Sequence, residues 1–131
     1  MNVEEMVKNA TANVPKAVAA GVVDMSSGML LSLHTVDSHP QQVIDLLAAA
    51  TRDLFEGDMI TQIEGIFKKV RGVTTKDRYF QEVIVSSTNL WHYFGRLKKH
   101  PGVVLTVVTR GDANIGMVLM KCREIAASGS I

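Results

Sequence analysis

The sequence holds a single cysteine, Cys122, in 131 residues. That excludes an intramolecular disulfide and any cysteine-based zinc site within one chain. A reducing, cytosolic setting is the matching expectation. Aromatic residues make up only 5%, so the core must be built mainly from Val, Leu, Ile, Met and Ala. No apolar stretch reaches the roughly 18–20 residues of a membrane span. The opening Met-Asn-Val-Glu-Glu lacks the basic and apolar regions of a signal peptide, which again points to the cytoplasm. Neither sign of charge dominates, and a net charge of +1 gives no reason to expect nucleic acid as a partner. The four histidines, His34, His39, His92 and His100, lack the i,i+3 or i,i+4 partner that places two ligands on one helical face. No metal and no cofactor is expected.

What is present fits one soluble domain over residues 1–131, with 128–131 expected to fray. Charge is unevenly spread. Residues 1–67 carry three Lys/Arg and nine Asp/Glu, whereas residues 68–131 carry eleven and four. Asn2 stands where it can cap a first helix, with Val3, Met6, Val7 and Ala10 on one face and Pro15 as the stop. Lys16 to Met25 alternates as a strand, and its small residues on both sides imply an interior position approached closely by helices. Ser26-Ser27-Gly28 make a tight loop, and Met29 to Val36 complete a hairpin.

Ser38-His39-Pro40-Gln41 resembles a capping box ahead of a long helix over residues 40–70. Val43, Leu47, Ala50 and Leu54 form one apolar stripe, and Phe55, Met59, Ile63, Ile66 and Val70 form a second. The two are one residue out of register, with Gly57 at the change, so a kink belongs there. Thirty helical residues would span about 45 Å, more than the core of such a domain requires. The surplus apolar face asks for a partner. Gly72 closes the helix. Strands follow over 78–87, 90–97 and 103–108, and a last helix runs from Ile115 to about Ala127. The order α-β-β-α-β-β-β-α describes an α+β fold: a five-stranded antiparallel sheet with helices on both faces.

The apolar run Val103–Val108 meets the last helix through a polar, glycine-bearing turn that could in principle cradle a phosphate. Gly111 and Gly116 have the G-x-x-x-x-G spacing of a phosphate-binding loop, but Met117 and Val118 replace the required Lys and Ser/Thr. Asp112 would repel an anion and is better taken as the helix cap. Gly116 would give room where the helix packs closely. Trp91, Tyr93 and Phe94 beside Arg96, Lys98 and Lys99 could stack on bases; a half-buried strand ending in a solvated basic turn explains them more simply. Cys122 falls on the stripe Ile115, Leu119, Cys122 and Ala126 and reads as core. No nucleophile elbow is present, and nothing demands an enzyme.

Taken together, these elements resemble the roadblock/dynein light chain family, of profilin-like architecture. The likeness extends from about residue 2 to residue 127. It is carried by Asp112-Ala113-Asn114-Ile115-Gly116 after an apolar strand, by Val18-Ala19-Ala20-Gly21-Val22-Val23-Asp24 before a glycine-containing turn, and by the element order. Three features depart from the family's pattern: the long middle helix containing Gly57-Asp58, the Met25–Gly28 turn, and the aromatic Trp91–Phe94 strand. The resemblance implies a homodimer, or a heterodimer with a related chain, in which the long helix and the following strand meet their counterparts. It assigns the interface here to Leu47, Leu54, Phe55, Met59, Ile63, Arg78, Phe80, Glu82 and Ile84. Gly111, Asp112, Asn114 and Gly116 become a structural turn. The implied role is a non-enzymatic scaffold that binds or regulates a small Ras-like GTPase, with Arg52, Arg78 or Arg110 able to face a partner. Two other readings compete. One is a small-ligand sensor of profilin-like or PAS-like type, which seven methionines would suit. The other is a hydrolase using Asp24, Ser26 or a histidine.

Overall fold

The computed structural model describes residues 1–36, 41–72 and 80–131, with backbone alone over 41–47. Helix α1 (Val3–Asn13) begins where Asn2 accepts a hydrogen bond from the Glu5 amide. It gives way at Val14, the residue before Pro15. Strands β1 (Ala17–Asp24) and β2 (Met29–Thr35) form the expected hairpin. Helices α2 (Gln41–Glu56) and α3 (Asp58–Arg71) come next. Strands β3 (Glu82–Ser86), β4 (Leu90–Arg96) and β5 (Val103–Arg110) then lead into α4 (Ile115–Ser128). All pairings are antiparallel, in the order β2-β1-β5-β4-β3. The central strand is therefore β5, which is why its apolar run is continuous: Val103 to Thr109 are all buried.

Alternation along the strands sends side chains into two layers. Val22, Tyr93, Val103, Leu105 and Val107 pack with α1 and α4, through Met6, Val7, Val118, Cys122 and Ile125. Val23, Phe94 and Val104 pack on the opposite face with Ala48 and Phe55 of α2. Each fully buried aliphatic side chain contributes about 1.5–3 kcal/mol. Cys122 is core as expected, and burial pushes its thiol pKa up to about 12. Gly21 is crowded by its neighbouring strands rather than by a helix. A Cβ there would sit 3.2 Å from Leu30 and 3.3 Å from Thr106.

The middle helix departs from its expected form. It is two helices, because Gly57 is extended (φ −64°, ψ 160°) and stands as the cap of α3. The buried face of α2 runs through Ala48, Thr51 and Phe55, one residue off the stripe that ends at Ala50 and Leu54. Ala50 is exposed and Leu54 half-buried. The side chains of Val43 and Leu47, the Ser38–Pro40 cap and Arg78 lie outside the described residues. Gly72 closes α3 in the left-handed conformation, at φ 68°. The strand expected over 78–87 is shorter, with Phe80 preceding it. Residues 128–131, expected to fray, are tied to the other terminus: the Ser130 amide donates to the Met1 carbonyl at 2.7 Å, and Gly129 is buried beside Met6.

The break at Gly57 has a steric signature. A Cβ on this residue would lie 2.7 Å from the Asp53 carbonyl oxygen, closer than real Cβ atoms come. Gly57→Ala is expected to lower unfolding stability by about 1–3 kcal/mol, the usual cost of a forced shift in packed structure, as read by urea denaturation.

Candidate interaction surface

Helix α3 is turned against the usual rule of burial. Its described side chains bury one charged residue, Glu64, at 3% exposure, while Met59 (69%), Ile66 (62%) and Val70 (79%) stand in solvent with Ile63 and Phe67. The exposed set steps by 4, 3, 1 and 3, one continuous helical face. The apolar stripe is thus real, but it points away from the sheet, and α3 packs chiefly against α2. A row of exposed apolar side chains of this kind makes this helix a candidate interaction surface.

Beside it lies the sheet edge. β3 bonds only β4 among the described strands, leaving its outer side unpaired. Its side chains alternate across the sheet. Glu82 faces α4, and Val83 packs in the α2 layer. By the same alternation Ile84 falls on the α4 side and Val85 on the α2 side, both exposed. Between the helices and this edge runs an open groove of about 490 Å³, lined by Ala50, Leu54, Ile60, Val85, His92 and Phe94, with Asp53 at its wall. His92 stacks on Phe94, with ring centres 6.5 Å apart, and its Nε2 meets Ser87 Oγ at 3.0 Å. Burial holds the imidazole pKa below its ordinary value.

The edge is fastened to α4 by one charged group. Glu82 accepts hydrogen bonds from Arg123 Nε, at 3.0 and 3.1 Å, from Arg123 Nη2 at 2.5 Å, and from the Tyr93 hydroxyl at 2.9 Å. Arg123, with Tyr93 second among the bonds, keeps the Glu82 carboxyl below the usual carboxylate range. Burial and this carboxylate together push the Tyr93 phenol far up.

The interface residues named from sequence divide accordingly. Met59 and Ile63 are exposed on α3, Ile84 is exposed on the α4 side of the edge strand, and Leu54 lines the groove. Phe55 is corrected: it is fully buried beneath Arg96, in the core rather than at the surface. Phe80 is half-buried against the same core layer. Glu82 faces α4 and is engaged with Arg123. Ile66, Phe67 and Val70 belong to the same α3 face, and Val85 lines the groove beside it. The first and third were visible in the helical stripe; Phe67 and Val85 carried no signal of their own.

The turn before α4 also needs a correction. Asn114, not Asp112, caps the helix, its side chain accepting from the Met117 amide at 3.1 Å. Asp112 stands three residues before the first helical residue and instead pairs with Lys16 at 2.7 Å and Arg110 at 3.7 Å. The Lys16 hydrogen bond lowers its pKa. Gly116 is exposed; a Cβ there would crowd the capping oxygen of Asn114 at 3.3 Å, so its smallness serves the cap rather than helix packing. Gly111 lets the backbone approach Asn89, whose carbonyl its amide meets at 2.7 Å.

Of the arginines considered for a partner, Arg52 is committed to the Met25 carbonyl at 2.9 Å, and Arg110 is exposed beside Asp112. Asp24 accepts hydrogen bonds from Ser26 and Ser27, which lower its pKa. The rings of His34 and His92 bond Thr11 and Ser87 instead, so no acid–base–nucleophile set forms from them. Among the described residues no group of three His, Cys, Asp or Glu side chains could hold a metal. No described helix is long and apolar enough to cross a membrane.

No protein-family model and no curated protein matches the sequence. Solved structures do match the fold. The Roadblock/LC7 domain from Streptomyces avermitilis is 16% identical, with a TM-score of 0.68 over 96% of this chain and 92% of that one. The gliding protein MglB from Thermus thermophilus is 18% identical, with a TM-score of 0.67 over 93% and 81%. An MglB described in a tetrameric arrangement is 17% identical, with a TM-score of 0.69 over 95% and 82%.

The Glu82 contacts set a pH dependence. A depressed folded pKa contributes stability that is complete above the unfolded carboxyl value of about 4.3 and is lost as pH falls through the lower folded value. Urea midpoints of the parent and Glu82→Gln are therefore expected to differ at pH 7 and to converge below pH ~4. A gap that ignores pH would contradict this role.

Five antiparallel strands in the order β2-β1-β5-β4-β3, with α1 and α4 on one face and α2 on the other, make this chain a Roadblock/LC7 fold.

Proposed function

We propose that the chain is a non-enzymatic cytoplasmic scaffold that self-associates through α3 and β3, or pairs there with a related chain, and binds a small Ras-like GTPase. The observation that carries the reading is the outward apolar face of α3, Met59-Ile63-Ile66-Phe67-Val70, beside a sheet edge unpaired among the described residues. Such an edge is a hazard unless something covers it, and a two-fold pairing of identical edges is the simplest cover. The resemblance to roadblock proteins supports the same placement, and one MglB of this fold is described in a tetrameric arrangement. Any chemistry then belongs to the partner. The ligand-sensor alternative draws less support. Among the described residues, the half-open space beside the sheet lined by Gly21, Leu30, Ala48 and Thr106 amounts to about 10 Å³, room for a water at most.

Sedimentation equilibrium at micromolar concentration is expected to show a dimer or higher state. Phe67→Glu or Ile66→Glu should weaken association tenfold or more, since each buried apolar side chain is worth about 1.5–3 kcal/mol and ~1.4 kcal/mol is a factor of ten. A parent that sediments only as monomer would count decisively against the reading. For the GTPase, affinity capture from the native host should recover a Ras-like protein unequally with GDP and with a GTP analogue. Equal recovery, or none, would remove that half of the proposal.

A further inference from the structure

Arg96 reads in the sequence as a cation near the end of the 90–97 strand, just before a basic turn, and its side chain is 2% exposed. It sits in β4 on the α2 face and spends its donors on three separate pieces of backbone. Nε donates to the Phe80 carbonyl at 2.7 Å, just ahead of edge strand β3. Nη1 donates to the Pro101 carbonyl at 2.7 Å, in the turn before β5. Nη2 reaches the Phe55 carbonyl at 3.4 Å. The guanidinium also lies 5.0 Å over the Phe55 ring and 3.7 Å from Glu56, the last residue of α2. Two general facts give this weight. The last carbonyls of a helix lack intrahelical donors and favour a cation nearby. A guanidinium presents a rigid fork that an ammonium cannot copy.

We infer that Arg96 is a positioning residue that locks the α2–α3 junction and the entry to β3 to the sheet as one unit, so that the outward face of α3 and the open edge are presented together. The surroundings support this. Among the described residues α3 packs chiefly on α2, and the junction at Phe55-Glu56-Gly57 joins the two. The strand side of the surface begins two residues after Phe80. One side chain therefore touches the root of each half of the surface, and no other described arginine does so. Any effect on partner binding rests on the self-association reading above; the mechanical coupling does not.

The test separates the two. Ile60 is a half-buried α3 residue lining the groove, and Ile60→Cys reports how often α3 lifts. Alkylation at this position, located by peptide mass so that the buried Cys122 is counted apart, is compared in the Arg96, Arg96→Lys and Arg96→Met backgrounds. Far-UV circular dichroism and Trp91 fluorescence follow the fold, and sedimentation without the added cysteine follows association. The expected result is labelling at least tenfold faster in Arg96→Met, an intermediate rate in Arg96→Lys, unchanged fold signals, and association weakened at least tenfold. A parent that never associates would sink the self-association reading and leave the clamp to be judged on labelling alone. Unchanged labelling, or collapse of the whole fold in both variants, would overturn the clamp. Faster labelling with undiminished association would overturn its positioning role.

Discussion

The break at Gly57 governs what the two middle helices can cover. An uninterrupted helix would carry one apolar stripe along one side. Here the stripe shifts by a residue, the chain opens to an extended conformation, and a Cβ at the break would meet the Asp53 carbonyl. α2 then spends Ala48, Thr51 and Phe55 on the sheet. α3 keeps its apolar side chains in solvent and turns Glu64 inward. The domain closes its core without α3, using α1 and α4 on one face of the sheet and α2 on the other. Among the described residues, α3 adds no buried apolar side chain to either core layer.

Around that surface the structure places its most committed polar groups. Arg96 ties the end of α2 to the approach to β3, and Glu82 ties β3 itself to Arg123 on α4. Both are charge-assisted contacts, stronger than neutral hydrogen bonds. They bracket the edge strand from the two faces of the sheet. An exposed edge held stiffly is a better template for a partner strand than a loose one, because less order must be gained on pairing.

Most of the sheet was legible in the sequence because its signals were local. The Val103–Val108 run, the Ser26–Gly28 turn, the Asn2 cap and the Gly72 stop each depend on residues within a few positions of one another. The misreadings involve distant partners or single-residue registers. Asp112 was given the cap that Asn114 holds, because both are good capping types and only the first helical residue decides between them. Phe55 was placed at the surface because it heads a stripe whose other members are exposed; which side of α2 meets the sheet is a tertiary fact. The role of Arg96 was not legible, since nothing in its neighbourhood announces that Phe80, Pro101 and Phe55 will turn their carbonyls toward it.

On the proposed reading, α3 and β3 together form the self-association face. Amide hydrogen exchange at low and high protein concentration tests it most directly. Protection within Asp58–Arg71 and Glu82–Ser86 should rise with concentration, while the opposite edge, Met29–Thr35, stays constant. Exchange in α3 and β3 that is indifferent to concentration, or a rise confined to β2, would contradict the account.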